Sequence, residues 1–302
     1  MDKNKKQNKA PLSHQLNPGH SACAGCGMII AAKLVLDTAG PNTIVTNATG
    51  CSEVTTTQYP MTSFKCPWIH SLFENPACLA SGILAALKKK GQADDINVIA
   101  IGGDGATFDI GIVHISGMWE RRENILYVCY DNEAYQNTGY QGSGATPLDA
   151  NTTTTPPGKE SYGSQQIKKD MIEIALAHKL PYVATASVGY PLDVIAKVKK
   201  ALTIKGPKYL QLYTPCVPGW GIEPKDTLGV GQSAVQSGYY PIVEYINGKL
   251  VKVQKITKKV PIEEFLLPQK RFKHITKSPE GKKEIAKIQK ITDEKIKKYD
   301  LI

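Results

Sequence analysis

Apolar and polar residues alternate along the first two hundred positions in two rhythms, one of helical spacing and one of short continuous runs. Residues 28–36 carry apolar side chains at helical spacing and run out toward Gly40, which predicts a helix, and 42–47 then reads as a strand. Asn75-Pro76 opens a second helix, since asparagine suits a cap and proline the first helical position. Leu79, Ile83, Leu84 and Leu87 carry it into Lys88, Lys89 and Lys90, whose charges complement the C-terminal dipole. The β-branched run 96–101 predicts a buried strand, followed by a helix over about 110–122 and a strand over 124–130. A loop over about 137–160, rich in Gly, Thr and Pro, is long enough to expect function of it. A helix around 165–179, a strand over 182–187, a helix over 191–202 and a strand over 208–213 complete the series. Strands and helices alternating at these lengths predict an α/β fold: an open, mostly parallel sheet with helices on both faces.

Beyond Trp220 the rhythm changes. Residues 240–246 and 250–256 flank Asn247-Gly248, a favoured tight-turn pair, and predict a β-hairpin. From Ser278 onward Ile285, Ile288, Ile291, Ile296 and Tyr299 recur at helical spacing among lysines and acids, predicting an amphipathic helix laid on the protein or on a partner subunit. The chain thus divides into a mobile arm over 1–19, a domain over 20–220 and an extension over 221–302 with a hairpin and a basic docking helix.

Composition narrows the class. With 302 residues and 41% hydrophobic content the chain can bury a sizeable core. It contains no apolar run of the roughly 18 residues that would span a membrane. The polar start Met1-Asp2-Lys3-Asn4 has no apolar segment behind it, so a cytoplasmic protein is expected. The net charge of +10 raises the question of nucleic acid, but nearly all of the surplus lies beyond residue 248, in lysine-rich sequence with little aromatic interleaving. A solvated lysine face is the plain reading, an acidic protein partner the next, and nucleic acid the last.

In a parallel α/β sheet, ligands bind outside the carboxyl ends of the strands. Four strands deliver unusual residues there: Cys51, Asp104, Asn132 and Cys216. Asp104 stands between Gly103 and Gly105, where the main chain allows a bulky anion to approach. Mg²⁺ takes one or two carboxylates and completes its six oxygens from phosphate, carbonyl and water. Asp104, the Asn132 amide oxygen and the Ala134 carbonyl would supply three.

Seven cysteines, an odd number, argue against a disulfide framework and for ligation, catalysis or burial. Cys23 and Cys26 form C-x2-C beside Gly25 and Gly27 at the start of a helix; with Cys51 and Cys216 they make a four-thiolate set suited to tetrahedral zinc or to a [4Fe-4S] cluster. Cys66 competes with Cys216 for the fourth place. Cys78, among apolar helix residues, and Cys129, inside a strand, read as core packing.

Gly-Asp-Gly, then x26, then Asn resembles the signature of thiamine-diphosphate-binding domains, with Glu133 standing where the pattern often has a second Asn. Together with C-x2-C-x24-C, Phe73 in Ser71-Leu72-Phe73-Glu74-Asn75, the run from Asn132 to Gly139, the threonines 152–155 and Cys216, the chain resembles the β subunit of pyruvate:ferredoxin oxidoreductase. The resemblance implies a thiamine-diphosphate-binding fold and oxidative decarboxylation of pyruvate with coenzyme A to acetyl-CoA and CO₂, electrons passing through a [4Fe-4S] cluster to ferredoxin. It implies Cys23, Cys26, Cys51 and Cys216 as cluster ligands, and Asp104, Asn132 and Ala134 as holders of Mg²⁺ and the diphosphate. Phe73 would pack against the cofactor, Gly50 and Cys51 would line its pocket, and Asn137 would lie near the reacting carbon.

The resemblance also implies an obligate α subunit, with γ and δ chains, because the glutamate that hydrogen-bonds the aminopyrimidine belongs to a second domain for which this chain has no room. Glu53 and Glu74 read as structural or peripheral. The rivals are a sister enzyme acting on a branched 2-oxoacid or 2-oxoglutarate, a non-oxidative thiamine-dependent decarboxylase or synthase, and an iron-sulfur or zinc module without thiamine.

Overall fold

The computed structural model describes residues 14–302; the expected arm over 1–19 therefore lies largely outside the described residues. Residues 14–19 are held: Leu16 is buried against the stretch around Phe64, and the Gln15 amide donates to Asp37.

The chain runs α1 (Gly27–Ala39), β1 (Thr43–Ala48), α2 (Cys51–Thr56), β2 (Trp68–Ser71), α3 (Pro76–Lys89), β3 (Asn97–Gly103), α4 (Ile112–Glu120), β4 (Leu126–Asp131), α5 (Met171–Ala177), β5 (Tyr182–Ser187), α6 (Pro191–Thr203), β6 (Lys208–Tyr213), α7 (Val217–Trp220) and α8 (Thr227–Gln236). The extension adds β7 (Val243–Ile246), β8 (Lys249–Val253), α9 (Ile262–Leu266), α10 (Lys273–Thr276) and α11 (Gly281–Lys298). The eight strands form one sheet in the order β2-β1-β3-β4-β6-β5-β7-β8. The first six run parallel, and β7 and β8 are antiparallel. The order reverses at β1, with β2 on one side and β3 on the other, so a crevice opens at the carboxyl ends of β1 and β3.

Each sheet face buries its own apolar layer. α1 and α6 cover one face, where Met28, Ala31, Ala32, Val35 and Leu36 meet Val45, Ile99 and Val128. On the other face Leu84, Met118 and Met171, from α3, α4 and α5, close over Ala100, Tyr127 and Tyr209. The extension seals the β6 end through Tyr213, Tyr240, Phe265, Phe272 and Ile288. The apolar stripe of α11 is thus buried within the chain, and several of its lysines are engaged there too: Lys287 on Glu284, Lys295 on the Tyr239 carbonyl and Lys298 on Glu173.

The departures from the sequence expectation have local causes. The helix expected over 165–179 starts only at Met171, because Asp170 accepts from the Ile172 and Glu173 amides while Lys168 is drawn to buried carboxylates. The helix expected from 110 is preceded by a π-helical turn, Gly105–Ile110, directly after Asp104. β2 lies in sequence that reads as irregular, and α8 in a stretch whose small residues and glycines give no helical signal. The hairpin forms as expected, with Asn247 and Gly248 both at positive φ. Cys129 is core, as expected, but Cys78 is exposed on α3 and packs in no core. At helical spacing it falls just outside the buried stripe of Ala77, Ala80, Leu84 and Leu87.

Phe265 has no exposed surface and stacks at 4.6 Å on Tyr239, which in turn meets Tyr213 of β6 at 6.4 Å, so the extension and the sheet should unfold together. Phe265→Ala should cost about 3–5 kcal/mol in urea denaturation. Loss from the C-terminal segment alone, with the sheet's transition unmoved, would show instead that the two are independent.

Candidate active site

The crevice predicted by strand order is a cleft of about 680 Å³. It is lined by the end of β1 (Asn47, Ala48, Thr49, Gly50, Cys51), by Phe73, by Gly103, Asp104 and Gly105 after β3, and by the turn after β4 from Asn132 and Ala134 to Asn137. All the sequence-predicted cofactor residues meet here. Phe73 stands half-buried with its ring edge-on to Tyr135 at 5.6 Å, and Gly50 and Gly103 face open space.

Asp104 is wholly buried. Its Oδ1 accepts from the Asn132 amide N–H at 3.2 Å and its Oδ2 from the Ser143 hydroxyl at 2.5 Å. Burial, reinforced by the charge of Asp131, pushes its carboxyl up to about 8. A carboxylate there calls for positive charge. The end of the Asn132 amide that faces it lies 2.8 Å from Asp104 Oδ1 and 2.9 Å from the Ala134 carbonyl oxygen. With no cation, two acceptors invite the amide nitrogen. With its oxygen turned in, the Asn132 amide stands from each of these two oxygens at the spacing of neighbouring corners of a magnesium octahedron, about 2.9 Å for bonds of 2.0–2.1 Å. The donor set therefore fits a small divalent cation.

The thiols meet in an adjoining cavity of about 690 Å³, lined by Cys23, Cys26, Cys51 and Cys216 together. Two glycines allow it. Gly25, at φ 70°, packs so close that a Cβ would lie 2.3 Å from the Pro224 carbonyl oxygen; at Gly27 a Cβ would lie 2.7 Å from that of Pro215. The turn before α1 thereby presses on Pro224 and the start of α1 on the segment just past β6, so that Cys26 and Cys216 line the same cavity. Burial pushes the Cys26 thiol up, and the Ile29 and Met28 amides pull it back. Cys51 is pushed up to about 12 by burial and by the charges of Cys26, Cys23 and Asp104. Cys216 is also raised by burial, with the Gly219 amide opposing. Clustered thiolates at low dielectric require metal charge to remain ionised. Among the described residues no three His, Cys, Asp or Glu side chains converge on a single-ion point. Four thiols lining one cavity are a donor set that suits an iron-sulfur cluster. Cys66 is buried in the layer with Phe64 and Trp68 and is not among the residues lining this cavity.

Met28, Cys51, Asn132, Gln136 and Asn137 line both cavities. Neither Glu53 nor Glu74 lines the cleft, and Glu53 faces His70 at 3.7 Å.

Several residues here escaped sequence reading. Asn47 Oδ1, Tyr130 OH and Gln136 Oε1 are buried without hydrogen-bond partners, and all three side chains belong to the cleft lining. Ser143 reaches Asp104 from the long loop, which the threonine run pins: Thr153 donates to the Gly139 carbonyl and Thr154 accepts from the Gly142 amide. Glu133, fully buried, turns away from the cleft to Lys168 and Arg271. Burial works to raise its carboxyl, but those two cations hold it down at about 2.

Residues 48–212 match the family model for the C-terminal TPP binding domain of thiamine pyrophosphate enzymes. The chain is similar to pyruvate synthase subunit PorB of Methanosarcina barkeri (strain Fusaro), 51% identical over 292 residues that cover 97% of this chain and 98% of that one. It is likewise 51% identical to pyruvate synthase subunit PorB of Methanocaldococcus jannaschii over 293 residues, 95% of this chain and 97% of the relative. Its fold resembles that of the 2-oxoglutarate:ferredoxin oxidoreductase from Magnetococcus marinus, solved with 2-oxoglutarate, coenzyme A and succinyl-CoA bound. The TM-score is 0.59 at 22% identity, over 76% of this chain and 82% of that one, a likeness of fold alone.

In the metal-free chain, alkylation followed by mass spectrometry should tag the exposed Cys78 and Cys23 first and spare Cys129. Metal loading should then protect Cys23 and leave Cys78 reactive. Equal tagging of Cys23 with and without metal would remove it from the thiol set.

Proposed function

Because this chain belongs to the pyruvate synthase PorB family and carries the thiamine pyrophosphate enzymes' TPP binding domain, we propose that it is the β subunit of a pyruvate:ferredoxin oxidoreductase. It takes part in the oxidative decarboxylation of pyruvate with coenzyme A to acetyl-CoA and CO₂, in the cytoplasm. The observation that carries this reading is the shared wall: five residues border both the cofactor cleft and the thiol cavity, so a single layer of residues stands between them.

Asp104, the Asn132 amide and the Ala134 carbonyl hold Mg²⁺ and, through it, the diphosphate. The open space at Gly50 and Gly103 admits the phosphate oxygens. Phe73 packs on the cofactor's body, and Tyr135 keeps its ring in place. Cys23, Cys26, Cys51 and Cys216 hold a [4Fe-4S] cluster. When bound, thiamine diphosphate supplies the electron sink for decarboxylation and the cluster takes electrons singly, which zinc does not. Asn137, exposed at the border of both cavities, orients the reacting group by hydrogen bonding.

The chain supplies the diphosphate side of the site only. An α subunit brings the glutamate for the aminopyrimidine, with γ and δ chains and ferredoxin beyond. Its seat is the segment from Cys51 to Phe73, where Val54, Tyr59, Met61, Ile69 and Leu72 expose apolar surface next to the cleft. Among the described residues no helix is long and apolar enough to cross a membrane.

The test separates the two cofactor sites in the enzyme co-expressed with its partner chains and purified anaerobically. Asp104→Ala should weaken thiamine diphosphate binding by about a hundredfold or more and leave iron and sulfide content unchanged. Cys216→Ser should do the reverse, bleaching the brown absorption while thiamine diphosphate still binds. A colourless unaltered enzyme with full activity would end the reading, and faster turnover of 2-oxoisovalerate or 2-oxoglutarate than of pyruvate would reassign the substrate.

A further inference from the structure

The turn that presents the cation ligands is under strain. The Asn132 side-chain amide stands between Asp104 and the Ala134 carbonyl, and Glu133, which separates the two residues in sequence, has φ 64°, a left-handed value that a side-chain-bearing residue adopts at a cost. Such a conformation persists where its surroundings enforce it. Glu133 is gripped on every oxygen: Oε2 accepts from Arg271 at 2.6 Å and from the Tyr213 hydroxyl at 3.3 Å. Oε1 accepts from Lys168 at 3.0 Å and the Tyr239 hydroxyl at 2.9 Å, while its carbonyl accepts from Thr146 at 2.8 Å.

Arg271 comes from the C-terminal extension, far from the cleft in sequence, and is nearly as buried as Glu133. It touches the turn twice. Besides pairing with Glu133, its guanidinium lies 3.8 Å over the Trp220 ring, and the Trp220 indole N–H donates to the Asn132 carbonyl at 2.9 Å. The Gln136 amide holds the same carbonyl at 2.7 Å. Arg271 is itself fixed, its Nε donating to Gln269 at 2.9 Å.

We propose that Arg271, delivered by the C-terminal extension, is a positioning residue for the cation and diphosphate site: acting through Glu133 and Trp220, it locks the turn 132–134 so that the Asn132 side-chain amide stays between Asp104 and the Ala134 carbonyl. The proposal rests on the reading of that site as the cofactor site. It gives the extension a task inside the active site, where the sequence suggests only docking. The fork of arginine is needed, since the position requires pairing and ring stacking together.

The test uses the enzyme assembled with its partner chains, stripped of divalent metal and thiamine diphosphate. It is titrated with Mn²⁺, read by electron paramagnetic resonance, and with thiamine diphosphate, read by equilibrium dialysis; iron content and melting temperature are followed in parallel. Arg271→Met should weaken both affinities by about tenfold or more, the usual loss when an outer partner of metal ligands is removed. Arg271→Lys, which keeps charge but not fork or stack, should fall between that variant and the unaltered enzyme. Trp220→Phe, which leaves the ion pair intact, should weaken Mn²⁺ binding while iron content stays level.

If the lysine and phenylalanine variants bind Mn²⁺ and thiamine diphosphate within twofold of the unaltered enzyme, whatever their melting temperatures, the network is structural only and the proposal falls. Should Arg271→Met not fold, these two variants still decide. Failure of the unaltered enzyme to bind thiamine diphosphate would instead remove the cofactor reading, and the proposal with it.

Discussion

Asp104, Asp131 and Glu133 are carboxylates without exposure to water, gathered at the ends of two neighbouring strands, and buried charge of one sign is tolerated only where opposite charge meets it. Among the described residues two cations pair with these three acids. Lys168 bridges Asp131 and Glu133 at 2.6 and 3.0 Å, and Arg271 takes the other side of Glu133. Asp104 is left with hydrogen bonds alone. Breaking such a buried pair by removing one partner typically costs about 3–5 kcal/mol, so the arrangement is tied to the stability of the whole sheet. Its imbalance is what makes the cleft receptive to a divalent ion.

Long-range packing follows from this constraint. Lys168 must reach inward from the segment before α5, which shortens that helix, and Arg271 must return from beyond the hairpin, which folds the extension against β6. The thiol cavity is built by a different device: the absence of side chains at Gly25 and Gly27 lets α1 lie against the end of β6. One cavity is shaped by charge and the other by close backbone approach, and the turn from Asn132 to Asn137 belongs to both.

The alternating fold was legible because the strands at the sheet's centre are continuous apolar runs, and strand direction alone placed Cys51, Asp104, Asn132 and Cys216 at one edge. What stayed hidden depends on partners distant in sequence. Glu133 read as a departure from a motif, since nothing near it announces Arg271. Ser143 looked like one more polar loop residue. Trp220, at the point where the helical and strand rhythm fades, showed no sign of holding the Asn132 carbonyl. Cys78 misled because a local apolar context does not fix which way a helix faces. β2 was missed because a strand paired on only one side carries a weak pattern: its four residues alternate little and two are exposed.

The two rims of the sheet are unlike. At one, β8 is exposed along most of its length and bears Lys249 and Lys252, charges that discourage another strand from adding. At the other, among the described residues, β2 pairs only with β1, and its own four residues, Trp68 to Ser71, include no lysine. Among the described residues, then, lateral growth is discouraged on one flank and open on the other, and the β2 flank is where a further strand could add.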